Sequence, residues 1–320
     1  MKSLKLLNLL FLITVYVSDV HTSADSTIFD ISDAKNLFNN FVNTFDKHYK
    51  NIAEYQKRFS IFVEHLKEVN QRNMRNDSVV FGITSVFDLD IEEFVGGCLT
   101  EIPLAKSTSI DKSLNQKMAQ LKSAPRSWDW RRQGAVTQIK SQGRCGSCWA
   151  FSAIESQHAI KYGELLALSD QQLLDCSSYE SGCKRGAIEA GGVMLESDYP
   201  YSAEKGYCDV DVTYSVVRPI ETKMAQGVDE EWLKMLIYNY GPVSAVNDIH
   251  HGGIANNDNM DCYHERPNHA IVIVGYGEGT PYWIIKNSHG QDWGENGYLR
   301  LHRGSNACDI SSYIAFVEIE

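Results

Sequence analysis

The sequence predicts an α+β protein of two sub-domains, preceded by a helical N-terminal segment. Three observations predict it. Residues from about Asp30 to Asn76 are polar and carry a helical pattern. Residues from Ser107 to Ser123 repeat Lys, Ser and Gln with little periodicity, which marks a flexible linker and a cleavage region. Beyond Pro125 aromatics, glycines and cysteines become dense, with helical patterns first and strand patterns later.

The elements follow in order. Lys2 and Lys5 flank an apolar run from Leu6 to Val17, and small or polar residues follow from Ser18 to Ala24. That order describes a secretory signal peptide, expected over residues 1–22. The run falls short of the ~20 residues a bilayer needs, and no later stretch is long and apolar enough either, so no membrane span is expected. Within the first helical region Glu54, Arg58, Phe62, His65, Val69 and Asn73 recur every three or four residues and share one helix face. Ser152 to Tyr162 continues a helix expected to begin near Cys148, and Glu230 to Tyr240 is a second, closed by Gly241 and Pro242. Strands are expected at Ala270–Tyr276, Tyr282–Lys286, Gly297–His302 and Tyr313–Ile319.

The chain has 320 residues, 43 % hydrophobic and 22 % charged, enough for a sizeable core. Its net charge of −11 disfavours nucleic acid and anionic membranes as partners, because both repel it. Eight cysteines in a chain bound for an oxidising compartment are first of all disulfide candidates.

Cys148 has a stronger claim to chemistry. It follows Gln142-Gly143-Arg144-Cys145-Gly146-Ser147, where two glycines permit a tight turn, and it opens an apolar, helix-compatible run. A thiol at a helix N-terminus meets unpaired N–H groups and the positive end of the dipole, which favour thiolate. Cys145 is then expected in a disulfide and Cys148 free. The strands Ala270–Tyr276 and Tyr282–Lys286 form a hairpin about Gly277-Glu278-Gly279. Folded about Glu278, the hairpin sets His269 directly opposite Asn287, within reach of a hydrogen bond that fixes the imidazole tautomer. Alone, such a histidine is far more often a surface residue. Beside a poised cysteine and an amide it becomes a candidate base.

These residues resemble the papain-like cysteine proteases. CGSCWAF, LSDQQLLDC, ESDYPY, NHAIVIVGYG and GENGY match family segments in order, across nearly the whole chain after the signal peptide. The resemblance implies a papain-like fold, with a helical left domain and a β-barrel-like right domain, behind an inhibitory propeptide. It implies a signal peptide at 1–22, a propeptide at 23–123 and a peptidase domain at 124–320. Cys148 would be nucleophile, His269 general base and acid, Asn287 its orienter, and Gln142 an oxyanion donor. Disulfides Cys145–Cys183, Cys176–Cys208 and Cys262–Cys308 are implied; the spacing alone leaves the pairing open. Gly186, Ala187, Val246, Pro267 and Tyr313 would line the substrate cleft. Glu54, Arg58, Phe62 and Asn73 match the propeptide's helical signature, while His65 and Val69 depart from it. Gly82 to Asp88, with Leu89 and Glu92-Glu93-Phe94, resembles its second motif. Thr84 and Val86 depart there. Asn76-Asp77-Ser78 is a glycosylation acceptor.

Other departures fall nearer the site. The family's tryptophan two residues after the catalytic asparagine is His289, although Trp293 is kept. One of two glycines after the cysteine matched by Cys183 is Arg185. The segments Gly186–Tyr199 and Ser244–His269 are short. His250, His251 and His264 lack ligand spacing and read as surface residues.

The expected activity is peptide-bond hydrolysis without a cofactor. The expected protein is a monomer that acts on peptides or proteins, is inhibited by its own propeptide, and is routed through the secretory pathway to a lysosome-like or extracellular site. A weakened homologue that binds peptides or partners is the alternative. ESQHAIKYGELLALSDQQLLDC and GGVMLESDYPY resemble the baculovirus cathepsins in particular, which would imply breakdown of host tissue. An arthropod lysosomal cathepsin is the second possibility on that point.

Overall fold

The computed structural model describes residues 28–74, 81–90, 93, 122–143, 145, 147–148, 153–176, 192–247 and 269–320. The single helical stretch expected from Asp30 to Asn76 is two helices, α1 (Ala34–Thr44) and α2 (Ile52–Asn73). Asp46 separates them: its φ of 48° is left-handed and stops the first helix. Asn51 caps α2, its side chain accepting from Glu54 N at 2.9 Å. Phe38 on α1 is fully buried and meets the rings of Phe41, Tyr49, Tyr55, Phe59 and Phe62. Of the six residues expected on one face of α2, Arg58, Phe62, Val69 and Asn73 are buried.

Polar side chains then pin the following chain onto α2. The Asn73 amide brackets Phe81, donating to its O at 2.9 Å and accepting from its N at 2.8 Å. His65 Nδ1 lies 2.9 Å from Phe87 O. Arg58 donates to Asp88 O at 3.1 Å and makes a forked contact with Glu93 at 2.5 and 3.1 Å. Burial opposes the charge on Glu93, but hydrogen bonds from Arg58 and Lys57 outweigh it and hold the carboxyl at about 2. Val86, one of the departures, packs against the core of the C-terminal body.

That body is built on one antiparallel sheet. Its strands are β1 (Trp128–Asp129), β2 (Pro219–Gln226), β3 (Val243–Asn247), β4 (His269–Gly277), β5 (Tyr282–Lys286), β6 (Tyr298–His302) and β7 (Tyr313–Ile319). Their order is β2-β7-β3-β4-β5-β6, with β1 added on β4. β1 approaches at Gly275, where a Cβ would sit 2.4 Å from Trp128 O, so only glycine fits. Among the described residues three α-helices accompany the sheet: α3 (Ile154–Tyr162), α4 (Asp170–Cys176) and α5 (Glu230–Tyr240). α5 is capped by Asp229, which accepts from Glu231 N and Trp232 N, and it buries Leu233, Leu236 and Ile237. These meet Ile273, Tyr276, Trp283, Ile285 and Trp293 in the largest core cluster. Expected bounds for α5, β5 and β7 coincide with those observed, whereas β2, β3 and α4 have no counterpart in the sequence reading.

The hairpin register is a correction. Lys286 faces Val272, two residues from the expected partner, and Ile284 faces Gly275, three residues from it. The turn occupies the four residues between Gly277 and Tyr282 rather than pivoting on Glu278, which shifts the pairing by three, and a bulge between Ile273 and Gly275 takes one step back.

Candidate active site

His269 opens β4 and Asn287 immediately follows β5. The corrected register makes them diagonal rather than direct neighbours, and a diagonal pair on one face still lies within side-chain reach. His269 Nε2 is 2.8 Å from Asn287 Oδ1 and both residues are buried. The tautomer that donates from Nε2 is therefore selected. Asn287 Oδ1 also accepts from Ser288 N at 2.8 Å, which holds the amide plane. Burial pulls His269 down to about 4, and the bond from Asn287 works against that fall.

Cys148 is buried against the start of β4. Its Sγ accepts from Ala270 N at 3.2 Å, which sets the sulfur beside the residue that follows His269. Cys148 is disulfide-bonded here, as are Cys145 and Cys308, and the described cysteines include no free thiol. The expectation of a free Cys148 is thus corrected for this state of the chain. Cys176 bonds Cys208. Cys183 and Cys262 lie outside the described residues, as do Gly186, Ala187, Arg185, Pro267, His250, His251, His264 and Asn76. Residues 149–152 lie outside them too, so the described part of the expected helix is α3.

Gln142 is locked between the two halves of the body. Its N donates to Ser288 O at 2.8 Å, its Oε1 accepts from Ser288 Oγ at 2.5 Å, and its Nε2 donates to Cys145 O at 3.0 Å. Gly143 follows with a φ of 62°, the left-handed turn expected of it. Tyr201 OH donates to Gln142 O at 2.9 Å. Two expected cleft residues come together: Val246 pairs with Ala270 on one side and with Tyr313 on the other, and Tyr313 is half-buried.

Sequence reasoning missed what lies behind Asn287 and Ser288. Lys140 Nζ bonds Glu155 at 2.9 Å, Asp170 at 2.8 Å and Glu196 at 3.1 Å, and it donates to Leu168 O at 2.8 Å. Lys286 donates to Thr137 Oγ1 at 2.8 Å, and Thr137 in turn bonds Glu155. Burial pulls Lys140 down, but Asp170 and Glu155 outweigh it and hold it above the ordinary lysine range. Asp170 is buried, and that burial, helped by Glu155, pushes it up to about 7 against the opposing pull of Lys140. A signal was present in the sequence: Lys286 ends an otherwise apolar strand and Glu155 sits on the inward face of α3.

A buried imidazole–amide pair, a cysteine sulfur at its side and a glutamine amide held by Ser288 thus stand together in the C-terminal body, behind an N-terminal helical domain. The chain belongs to the papain family of cysteine proteases: residues 124–317 match that family's model, and residues 38–94 match the cathepsin propeptide inhibitor domain. It is a cysteine-type peptidase made as a zymogen, with its own propeptide as inhibitor. Viral cathepsin of Spodoptera exigua nuclear polyhedrosis virus is 36 % identical over 98 % of both chains. Viral cathepsin of Autographa californica nuclear polyhedrosis virus is 35 % identical, over 92 % of this chain and 95 % of that one. The solved digestive procathepsin L2 of Tenebrio molitor larval midgut superposes with a TM-score of 0.76 at 32 % identity, over 89 % of this chain and 99 % of the other. The proform of the ragweed pollen cysteine protease Amb a 11 superposes with a TM-score of 0.77 at 28 % identity, over 89 % of this chain and 94 % of that chain.

Proposed function

We propose that the chain is the precursor of a cysteine endopeptidase in which Cys148, His269, Asn287 and Gln142 carry the reaction. The observation that supports it most is the buried His269–Asn287 bond with the Cys148 sulfur beside Ala270. A thiol reductant first exchanges with the Cys148 disulfide, becoming oxidised itself and releasing Cys148 as the thiol. Transfer of the thiol proton to His269 then gives thiolate and imidazolium, and the thiolate stabilises the imidazolium that burial alone disfavours. The thiolate attacks the peptide carbonyl, with Cys148 N–H and Gln142 Nε2 donating to the oxyanion. To do so, Gln142 Nε2 turns one N–H from Cys145 O toward the cleft. His269 protonates the leaving amine, a thioester remains, and His269 then takes a proton from the water that hydrolyses it.

The organisation proposed is signal peptide 1–22, propeptide 23–123 and peptidase 124–320, with passage through the secretory route. Among the described residues no helix is long and apolar enough to cross a membrane. The viral relatives support release into host tissue and its breakdown late in infection. The rival reading, a peptide-binding homologue with weak catalysis, draws on His289 and on the oxidised Cys148.

Acid maturation in the presence of a thiol reductant, then a thiol-directed epoxide and intact mass, tests the proposal. One adduct on Cys148, absent from Cys148→Ala, together with peptide cleavage is expected. Gln142→Ala should lower kcat by ~10²–10³-fold and His269→Ala by ~10²–10⁴-fold. A reduced, processed protein that takes no adduct sinks the proposal and leaves the peptide-binding reading. The same protein before reduction should take none either.

A further inference from the structure

The His269 ring has a second buried imidazole lying against it. His289 is 4 % exposed, and its ring stacks on His269 with centroids 5.0 Å apart and planes within 10°. Trp293 supports the outer side, tilted at 57° with centroids 5.9 Å apart. The backbone bridge between Ser141 and His289 and the bond from Gly290 N to Lys140 O at 3.0 Å fix the segment that carries the ring. His269 is therefore held between Asn287 at its edge and His289 at its face.

We propose that His289 is a positioning residue for the His269 base: its ring keeps the imidazole in the plane of Asn287 and narrows the pH range over which His269 keeps its proton. The inference rests on the reading of His269 as the base. Two parallel imidazoles in one dry pocket cannot both be charged, because like charges at this separation repel strongly where water is excluded. The active ion pair needs the proton on His269, so His289 must stay neutral. Burial, and then the neighbouring charge of His269, hold His289 well below the ordinary histidine range. The other charged groups of the adjoining elements are Lys140, Lys286, Glu155 and Asp170, and they are engaged with one another behind Ser288. A neutral imidazole attracts a cation over its face more weakly than an indole does. His269 therefore surrenders its proton at lower pH than it would beneath an indole, and the alkaline limb of activity falls early.

The test is the pH profile of kcat/KM for a short peptide with the mature, reduced enzyme, parent against His289→Trp, His289→Phe and His289→Ala. His289→Trp should move the alkaline limb up by roughly 0.5–1 pH unit. The smaller His289→Phe covers the case in which the indole does not pack, with a shift in the same direction but smaller. His289→Ala should lower kcat by about 10-fold with KM little changed, as loss of orientation does. In parallel, imidazole NMR of the Cys148→Ala protein should show His269 titrating at higher pH when His289→Trp is added. Superimposable profiles in an active parent overturn the inference and leave the protease reading standing. An inactive parent defeats that reading instead, and the NMR titration alone then decides whether His289 governs His269.

Discussion

Two clusters of charge, one in the propeptide and one in the peptidase body, use the same residue types to opposite effect. In the propeptide, Arg58 and Lys57 meet Glu93 close to solvent, and the carboxyl is held at about 2. In the body, Lys140 meets Asp170 well below the surface, and the carboxyl is pushed up to about 7. The difference lies in desolvation: near the surface the cations decide, whereas deeper burial outweighs even a lysine at 2.8 Å. Acid therefore loosens the inhibitor while it relieves the enzyme.

The largest expected effect tests the part of the propeptide that charge does not hold. Phe62→Ala removes a fully buried ring from the centre of the α1–α2 cluster, at about 3–5 kcal/mol. Chemical denaturation of the zymogen should show the propeptide unfolding first, with the peptidase transition unmoved. A single shifted transition would mean that the two regions are one cooperative unit. Next, Arg58→Met should weaken the propeptide by about 1–3 kcal/mol, less than for a fully buried pair because Glu93 is partly exposed. Inhibition of the mature enzyme by the added propeptide should fall accordingly.

The smallest effect concerns pH and sharpens the contrast most. Glu93 sits below its unfolded value of 4.5, so its stabilisation is whole above that pH and is lost as pH falls toward about 2. Asp170 sits above its unfolded value of 3.8, so its favourable contribution is whole below that pH and is lost as pH rises through about 7. Glu93→Gln should flatten the acid loss of propeptide stability. Asp170→Asn should flatten the decline in mature-enzyme stability between about pH 4 and 7. Thermal melts across pH check both, and parallel slopes for parent and variant would show that the cluster in question does not titrate as described.

Much of the site was legible because its signals are local or depend on face alone. A glycine-bounded cysteine segment and the period of α2 need only a few adjacent residues to be read. The His269–Asn287 contact survived an error of two residues in register at its end of the hairpin, because an even shift keeps both side chains on one face and a diagonal pair within reach. The break at Asp46 left no strong pattern in sequence, since one left-handed residue suffices to end a helix. β3 and α4 are short, and each depends on neighbours supplied from far along the chain.

The sequence by itself determined the order of the regions, singled out Cys148, His269, Asn287 and Gln142 as candidates, and set the bounds of elements with strong caps or period, such as α5 and β5. Those features depend on chain-local sterics, capping and periodicity. Tertiary structure decided that Cys148 is oxidised in this state, that His289 lies flat on His269, and that Lys140, Glu155, Asp170 and Lys286 gather behind the site. Each depends on side chains brought together below the surface by the fold. Charge, stacking and proton affinity there depend on enclosure, which no local stretch of residues encodes.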